Sequence, residues 1–279
     1  MECPSDIDQP FFAYGLFKPG QLAFFQLRGL VSKTDPAEVT GELLLRDGLP
    51  ILDPEGHGCV KGALVTFFPE QAAKAYKCIS AMEPGNHYYW DKAPIGGTSA
   101  NVLVGRSPDK GSVDCAGVEW NGWDDPLFRE ALDVVAETLK SQDSATDLKA
   151  LFRLQMAYLL LWSSIERYVS LRYHLGKDAT EKVNRLANER AFAEGLLEHV
   201  KEPPRAYRKI YRADQPKCKR VLNPRSSKKA LNYYYQVRSN IMHRGKGDSS
   251  DHERVVMSLE ELLPIFRKVL EAAELDARY

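Results

Sequence analysis

The sequence predicts an α+β protein with a mainly β N-terminal part and an all-α C-terminal part. The chain has 279 residues, which fits two domains at roughly 100–200 residues per domain. Residues 1–124 carry 10 Lys and Arg against 16 Asp and Glu, a net charge of −6, whereas residues 125–279 carry 28 against 22, a net charge of +6. Short apolar runs give way to helical spacing near residue 120. We therefore expect domains over 1–122 and 123–279.

The composition restricts the class of protein. Hydrophobic residues make up 44% and charged residues 27% of the chain, which is ordinary for a soluble globular protein. The longest nearly apolar stretch, 154–165, is too short to span a bilayer, and the first ten residues do not resemble a signal peptide. Five scattered cysteines without a CxxC pair fit a reducing compartment. We expect a cytoplasmic protein with no membrane contact, no cofactor and no metal site.

The N-terminal part contains a series of short apolar runs that are broken by Gly, Pro and Asp. Such runs are typical of strands, and they are FFAYGLF, VTGELLL, LPIL, VKGALVTFF, ANVLV and VDCAGVEW. Two helices are expected between them, near 20–29 and 69–81. This pattern favours a mainly β domain, for which a closed barrel is plausible.

The C-terminal part shows helical periodicity with start and stop signals. Asp124 or Asp125 can cap a first helix with Pro126 at its first position. Ser258 and Glu261 form a capping box that would begin the last helix, in which Pro264 predicts a kink. Further helices are expected over 147–175, 179–200 and 226–244. The pair Pro203-Pro204 would end the second of these helices, and glycines would end the third.

A first candidate site follows the first apolar run. YGLFKPG occupies residues 14–20, and a Gly-bearing turn after a strand exposes backbone N–H groups that suit a carboxylate or a phosphate. The segment is neither a GxGxxG sequence nor a Walker loop, so it does not indicate nucleotide binding. A plain β-turn is the alternative interpretation.

Further motifs follow in order: VTGELL (39–44), DGLPIL (47–52), VKGALVTF (60–67) and ISAMEPGNHYYW (79–90). Over roughly residues 10–120 this series resembles the gamma-glutamylcyclotransferase-like family, also called the AIG2-like fold. The resemblance implies that Glu83 is the catalytic glutamate and that a substrate loop comprises Tyr14, Gly15, Leu16 and Phe17. The chain departs from the family pattern at Ser80, where an Asp is usual, and at Pro84. The alternative for Glu83 is a helix-end carboxylate facing a solvated cavity.

The reaction that the resemblance implies needs only one carboxylate. The α-amine of a γ-glutamyl compound attacks its own γ-amide carbonyl, which forms 5-oxoproline and releases an amine. A single glutamate can take the proton from the attacking nitrogen and pass it to the leaving nitrogen. Backbone N–H groups can hold the α-carboxylate of a small γ-glutamyl-type ligand.

A second candidate site lies in a segment that we call the basic belt, residues 201–246. It contains 14 Lys and Arg against 2 Asp and Glu, a net charge of +12. Five tyrosines are interleaved with these charges: Tyr207, Tyr211, Tyr233, Tyr234 and Tyr235. Positive charge with aromatic side chains is typical of a surface that binds RNA. A solvated basic face is the alternative.

Arg238 and His243 form an R-x4-H sequence at the end of the belt. Over about 125–275 the chain resembles HEPN domains, helical bundles in which this motif marks a metal-independent ribonuclease. The resemblance implies an inward-facing acid at Glu166 and polar positions at Ser239 and Asn240. Five residues at 100° each place Arg238 and His243 about 140° apart around a regular helix, so either the last turn unwinds or two copies of the chain contribute to one site. The resemblance implies the second arrangement, and we expect a homodimer. A histidine that caps the helix end is the alternative for His243.

The sequence therefore predicts a small-molecule site and an RNA site, with the RNA site a metal-independent endoribonuclease. One alternative is a gamma-glutamylcyclotransferase whose helical half serves only dimerisation. Another is a non-enzymatic interaction protein in which neither site is active. RNA binding by the helical half separates the first interpretation from both alternatives.

Overall fold

The protein is described by a computed structural model that covers residues 1–83, 85–141, 148–173, 179–201, 206–212, 215, 217–244 and 249–278. The side chains of residues 179, 180, 243, 244 and 249–251 lie outside this description. The chain divides into two compact units. The N-terminal unit comprises Met1–Asp125, Leu171–His174 and Glu274–Tyr279, and the helical unit comprises Pro126–Ser170 and Leu175–Ala273.

The strands of the N-terminal unit form two open sheets. The larger sheet has the order β2-β5-β1-β7-β6, and the smaller has the order β4-β3-β8. β1 is central, antiparallel to β5 and parallel to β7. The strands are β1 (Phe11–Ala13), β2 (Val31–Thr40), β3 (Glu42–Arg46), β4 (Leu49–Asp53), β5 (Cys59–Phe67), β6 (Tyr88–Ile95), β7 (Thr98–Gly105) and β8 (Val113–Asp114), with one helix, α1 (Ala72–Met82).

A two-residue turn fixes the register of the smaller sheet. Arg46 pairs with Leu49, and Asp47 and Gly48 between them have φ values of +53° and +72°. Asp-Gly is the pair that tolerates positive φ at both positions of such a hairpin. The turn therefore sets which side chains of β4 enter the core, among them Ile51.

The helix expected near 20–29 is wrong. The segment instead forms two 3-10 turns, Phe24–Gln26 and Arg28–Leu30. The amide of Leu27 donates to the carbonyl of Phe24, and that of Leu30 donates to Leu27. The buried residues Phe24, Leu27 and Leu30 recur every third residue, which matches the three residues per turn of a 3-10 helix.

Three parts of the helical unit that precede its last helix differ from expectation. α2 begins at Glu130 rather than Pro126, and a separate 3-10 turn, Gly122–Asp124, which Asn121 caps, precedes it. The helix expected over 179–200 is two helices, with Glu189 between them in an extended conformation where it accepts hydrogen bonds from the Tyr168 hydroxyl. The unit also contains an antiparallel pair of short strands. Its elements are α2 (Glu130–Lys140), α3 (Leu148–Tyr173), α4 (Ala179–Ala187), α5 (Arg190–His199), β9 (Lys209–Tyr211), β10 (Lys219–Val221), α6 (Ser227–Arg244) and α7 (Ser249–Arg278).

The capping-box prediction for the last helix is also wrong. α7 begins at Ser249, and Pro264 lies inside it. Ser258 and Glu261 are fully buried in the middle of the helix. The Glu261 carboxylate is occupied by both terminal nitrogens of Arg208, at 2.7 and 2.6 Å, and by the Tyr234 hydroxyl at 2.9 Å. A buried acid thus resembled a helix cap in the sequence. Pro203 and Pro204 lie outside the described residues.

No helix within the described ranges combines the length and the apolar character needed to cross a bilayer.

Candidate functional site

The first candidate site is a cavity in the N-terminal unit that we call the Glu83 pocket. Its walls come from the end of β1 and the turn after it, from β4, from the end of α1 and from the start of β6 and the middle of β7. The lining residues are Phe11, Ala13, Tyr14, Gly15, Leu16, Phe17, Leu49, Pro50, Glu83, Tyr88 and Leu103. All four residues of the expected substrate loop therefore share one cavity with Glu83.

Glu83 sits where α1 ends. Its amide donates to the Ile79 carbonyl, and its own φ and ψ, −83° and 128°, turn the chain out of the helix. Only 8% of the residue is exposed. Among the described residues none donates a hydrogen bond to its carboxyl group. Burial raises the pKa of this carboxyl group to about 8, because the charged form loses water without gaining a partner.

Two phenols approach the Glu83 carboxyl group but donate their protons elsewhere. The Tyr14 hydroxyl donates to the Leu103 carbonyl at 2.7 Å and accepts from the Leu52 amide at 3.2 Å. The Tyr88 hydroxyl donates to the Pro50 carbonyl at 2.8 Å. Burial first, and then the nearby Glu83 charge, raise the pKa of Tyr88, and burial is also the main cause of the raised pKa of Tyr14. Neither phenol acts as an acid near neutral pH, so Glu83 is the titrating group of the pocket.

The turn after β1 supplies backbone donors to the same cavity. The amides of Gly15, Leu16 and Phe17 donate to no acceptor among the described residues. Gly15 is required by close packing, since a Cβ atom there would lie 2.8 Å from Cγ of Pro50. Among the described residues these three amides lack an acceptor and the Glu83 carboxyl group lacks a donor, so residues that line one cavity supply donors for an anionic group and a proton carrier.

The pocket is small in this conformation. Its volume of about 20 Å³ is about that needed for one water molecule. A ligand larger than water therefore requires the lining side chains to separate.

Two lining residues, Tyr88 and Pro50, were not among the candidate site residues that the sequence indicated, although they belong to the quoted motifs ISAMEPGNHYYW and DGLPIL. Ser80, at the departure from the family pattern, accepts a hydrogen bond from the Trp90 indole at 3.0 Å.

The second candidate site is in the helical unit, where α6 passes α3. An oxygen of the Glu166 carboxylate lies 3.4 Å from a terminal nitrogen of Arg238. The Arg238 guanidinium also lies over the ring of Tyr235, 5.7 Å from its centre. Both ion-paired side chains are about one-quarter exposed. The structure thus brings Glu166 and Arg238 together, whereas the side chain of His243 lies outside the described residues.

The two polar positions after Arg238 differ. The Asn240 amide nitrogen donates to the Tyr211 carbonyl at 2.9 Å, and its oxygen accepts from Gln236. Ser239 is half-buried. Asn240 therefore connects α6 to β9, two residues from Arg238.

The structure divides the basic belt into buried and exposed residues. Tyr233 and Tyr234 are fully buried, Arg208 is paired with Glu261, and Tyr235 packs edge-on against Trp162. Among the described residues, the exposed basic residues and tyrosines of the belt are mostly on or beside the β9–β10 pair and at the start of α6: Lys201, Tyr207, Lys209, Tyr211, Lys217, Lys219, Arg220, Arg225, Lys228 and Lys229. Stackable rings are thus limited to fewer tyrosines than the sequence suggested.

Within the part of the chain that the structure describes, no group of three or more His, Cys, Asp or Glu side chains is arranged to hold a metal ion.

Comparison with known proteins gives few matches. No family model matches the chain, and no curated protein matches it. Among solved structures, the chain is similar to an uncharacterized protein from Pyrococcus horikoshii, with 19% identity and a TM-score of 0.31. That match covers 44% of this chain and 93% of the other, and at this score it carries no argument about function.

Proposed function

We propose that the N-terminal unit has a cyclotransferase-like fold and that its Glu83 pocket binds a small γ-glutamyl-type compound and releases 5-oxoproline from it. The observation that carries this proposal is the buried Glu83 carboxyl group, which has no hydrogen-bond partner among the described residues and whose pKa is raised to about 8. Acids inside a cavity whose pKa is strongly shifted are typical of proton-transfer sites. The unpaired amides of Gly15, Leu16 and Phe17 supply donors for the α-carboxylate of the substrate.

The raised pKa of Glu83 suits the proton transfer. It is close to that of an α-amino group, about 8, so a proton moves between the two at little cost. A substrate ammonium beside a carboxylate contains the same protons as a free amine beside a carboxylic acid. The apolar lining favours the neutral pair, because charges lose solvation there. The free amine is the nucleophile, and the carboxylic acid is the group that can protonate the leaving nitrogen.

The bond changes are balanced without a further reactant. The amine nitrogen forms a bond to the γ-carbonyl carbon, and the amide C–N bond to the leaving group breaks. Glu83 takes one proton from the attacking nitrogen and delivers one to the leaving nitrogen. Intramolecular attack lowers the entropic cost of the first step. The lining side chains must separate to admit the substrate.

The test measures 5-oxoproline release from a panel of γ-glutamyl amines and γ-glutamyl amino acids. Glu83→Gln keeps the shape and removes the proton carrier, so we expect a loss of about two to four orders of magnitude in kcat/KM. Glu70→Gln, at an exposed position of the same unit, is the matched control and should retain full activity. Wild-type protein that releases no 5-oxoproline from any panel member would contradict the proposal.

A second candidate function concerns the helical unit, which we propose binds RNA and cleaves it without a metal ion. The contact between Glu166 and Arg238 beside exposed basic residues favours it. The 2′-hydroxyl of a ribose attacks the adjacent phosphorus, and the 5′-oxygen leaves. His243 transfers the protons, and the Arg238 guanidinium stabilises charge on the phosphorane oxygens. The R-x4-H spacing favours a site shared by two copies of the chain.

Cleavage of mixed-sequence RNA in EDTA tests this second function. Products should end in 2′,3′-cyclic phosphate, and DNA, which lacks the hydroxyl nucleophile, should be bound but not cut. Arg238→Ala and His243→Ala should each abolish cleavage, whereas Arg185→Ala, an exposed position on α4, should cleave as wild type does. Mixing the two inactive variants should restore part of the activity if one site uses residues from both copies. Cleavage by His243→Ala at the wild-type rate would exclude this mechanism.

A further inference from the structure

The β9–β10 pair, which we call the ribbon, exposes one face. Tyr211 is directly opposite Lys219, and Lys209 is opposite Val221. Because side chains alternate along a strand, Lys209 and Tyr211 project to one side while Ile210 projects to the other. Ile210 is buried, and Tyr211 is 51% exposed. An aromatic ring and two lysines therefore share the outer face of the ribbon.

A second exposed ring stands at the end of the ribbon. The Tyr207 amide donates to the Leu222 carbonyl, and the Leu222 amide donates to the Arg208 carbonyl. Tyr207 and Arg208 on one strand thus lie opposite the single residue Leu222, as in a β-bulge. Tyr207 has a φ of +62°, which is an outlier for a bulky residue, and its side chain is 52% exposed. Strained positions of this kind are concentrated at functional sites.

The ribbon is held to the helices behind it. Arg208, next to Tyr207, forms the buried pair with Glu261 of α7. The Tyr211 carbonyl accepts the hydrogen bond from Asn240 of α6. The two exposed rings are therefore mounted on backbone that is fixed at both ends of β9. An anchored backbone lowers the conformational freedom that is lost when a ligand stacks on the rings.

The exposed charges that the structure describes on the ribbon are all positive. Lys209, Lys217, Lys219 and Arg220 are exposed, and none of them forms an ion pair with a described acid. Such a surface attracts an anionic partner. Exposed rings select one with accessible planar faces, and nucleic acid provides both features when its bases are unpaired. In a duplex the faces of the bases are already stacked on each other.

We propose that the ribbon is the docking surface for single-stranded RNA, with unpaired bases stacked on Tyr207 and Tyr211 and phosphates beside Lys209 and Lys219. The inference rests on the second candidate function above and extends it by specifying the substrate class. The strand docked on the ribbon lies beside Asn240, two residues from Arg238. The surface thus selects unpaired RNA near the site that cleaves it.

The test measures binding of a fluorescein-labelled 12-nucleotide single-stranded RNA to the full chain by anisotropy. Tyr207→Ala and Tyr211→Ala should each raise the Kd about 5- to 100-fold, the range expected for loss of one stacked base. Tyr211→Phe keeps the ring and should stay within about threefold of wild type, whereas Tyr211→Leu keeps apolar bulk without an aromatic face and should resemble Ala. Phe68→Ala removes an exposed ring from the N-terminal unit and is the matched control, with no change expected.

A second arm tests the phosphate contacts. Lys209→Ala/Lys219→Ala should reduce the steepness of the log–log dependence of affinity on salt by about 1.4, at about 0.7 per phosphate on a single strand. Lys74→Ala/Lys77→Ala, two exposed lysines on α1, should leave the slope unchanged. A duplex of the same sequence should bind at least tenfold more weakly than the single strand and should not respond to the tyrosine variants.

The outcomes separate this proposal from the cleavage proposal. Wild-type affinity in Tyr207→Ala and Tyr211→Ala, or equal loss in Tyr211→Phe and Tyr211→Leu, overturns the ribbon as a stacking surface while RNA binding and cleavage can still be observed. Ring-dependent binding without cleavage supports the ribbon and overturns the nuclease. No binding to single-stranded RNA at low salt, tighter binding to the duplex, or ring-dependent binding of an acidic peptide in place of RNA overturns the ribbon proposal.

Discussion

Glu83 in the N-terminal unit and Glu261 in the helical unit are both buried glutamates, but they differ in the hydrogen bonds that their carboxyl groups accept. The Glu261 carboxylate is fully buried and accepts hydrogen bonds from two Arg208 nitrogens and the Tyr234 hydroxyl. The Glu83 carboxyl group accepts none from any described residue, and burial raises its pKa. A buried carboxylate that has partners is costly to deprive of them, whereas a buried acid without a partner among the described residues lowers stability when it ionises.

The largest expected effect comes from breaking the Glu261 pair. Arg208→Met leaves a carboxylate in the core without its cation, so the helical unit should lose about 3–5 kcal/mol of unfolding free energy. The double variant Arg208→Met/Glu261→Leu removes both charges and should recover most of that loss. Native-state hydrogen exchange of peptides from α6 and α7 measures it, with β1 and β7 as internal controls. A double variant as unstable as Arg208→Met would show that the loss comes from the packing or hydrogen bonds of these side chains and not from an unpaired charge.

Glu83→Gln should raise the free energy of unfolding rather than lower it, and the size of this gain should depend on pH. In the folded protein Glu83 keeps its proton up to a pKa of about 8, whereas the unfolded chain releases it near 4.5. Stability is therefore lost as pH rises through this window. The glutamine carries no such cost, so its advantage should be near zero at pH 4 and grow to about 4 kcal/mol at pH 8.

Thermal unfolding of wild type and Glu83→Gln between pH 4 and pH 8 measures this difference. Glu70→Gln, at an exposed position of the same unit, should show no growing advantage. A Glu83→Gln protein that is equally destabilised at both pH values would mean that the carboxyl group has a partner, and the contrast with Glu261 would fail.

The smallest effect on stability is expected at the pair of Glu166 and Arg238, whose side chains are about one-quarter exposed. Glu166→Gln should change the unfolding free energy by less than about 1 kcal/mol, because solvent screens pairs of this exposure. It should strengthen RNA binding about two- to fivefold, since a negative charge beside Arg238 is removed. Anisotropy with single-stranded RNA measures this, with Glu181→Gln on α4 as the control. Weaker binding by Glu166→Gln would indicate that Glu166 orients Arg238 toward the RNA.

The sequence alone determined the α+β class, the strand-forming runs and the loop-to-glutamate series that leads to the Glu83 pocket. Strand alternation and the Asp47-Gly48 turn are local properties, so they could be predicted without contacts. The same holds for the helix that ends at Arg244, because glycines follow it in the sequence. The R-x4-H spacing likewise indicated that a regular helix separates Arg238 from His243.

Only the tertiary structure decided which charges and rings are available. Ser258 and Glu261 fit a capping box in sequence, yet they are buried inside α7 because Arg208, 53 residues away, supplies the partner for the acid. Tyr233 and Tyr234 are core residues while Tyr207 and Tyr211 are exposed, although all four have basic neighbours in the sequence. The pKa of Glu83 depends on residues from β1, β4, β6 and β7, which no local pattern brings together. Burial is a property of the packed chain, and it decides which polar side chains stabilise the fold and which remain for chemistry.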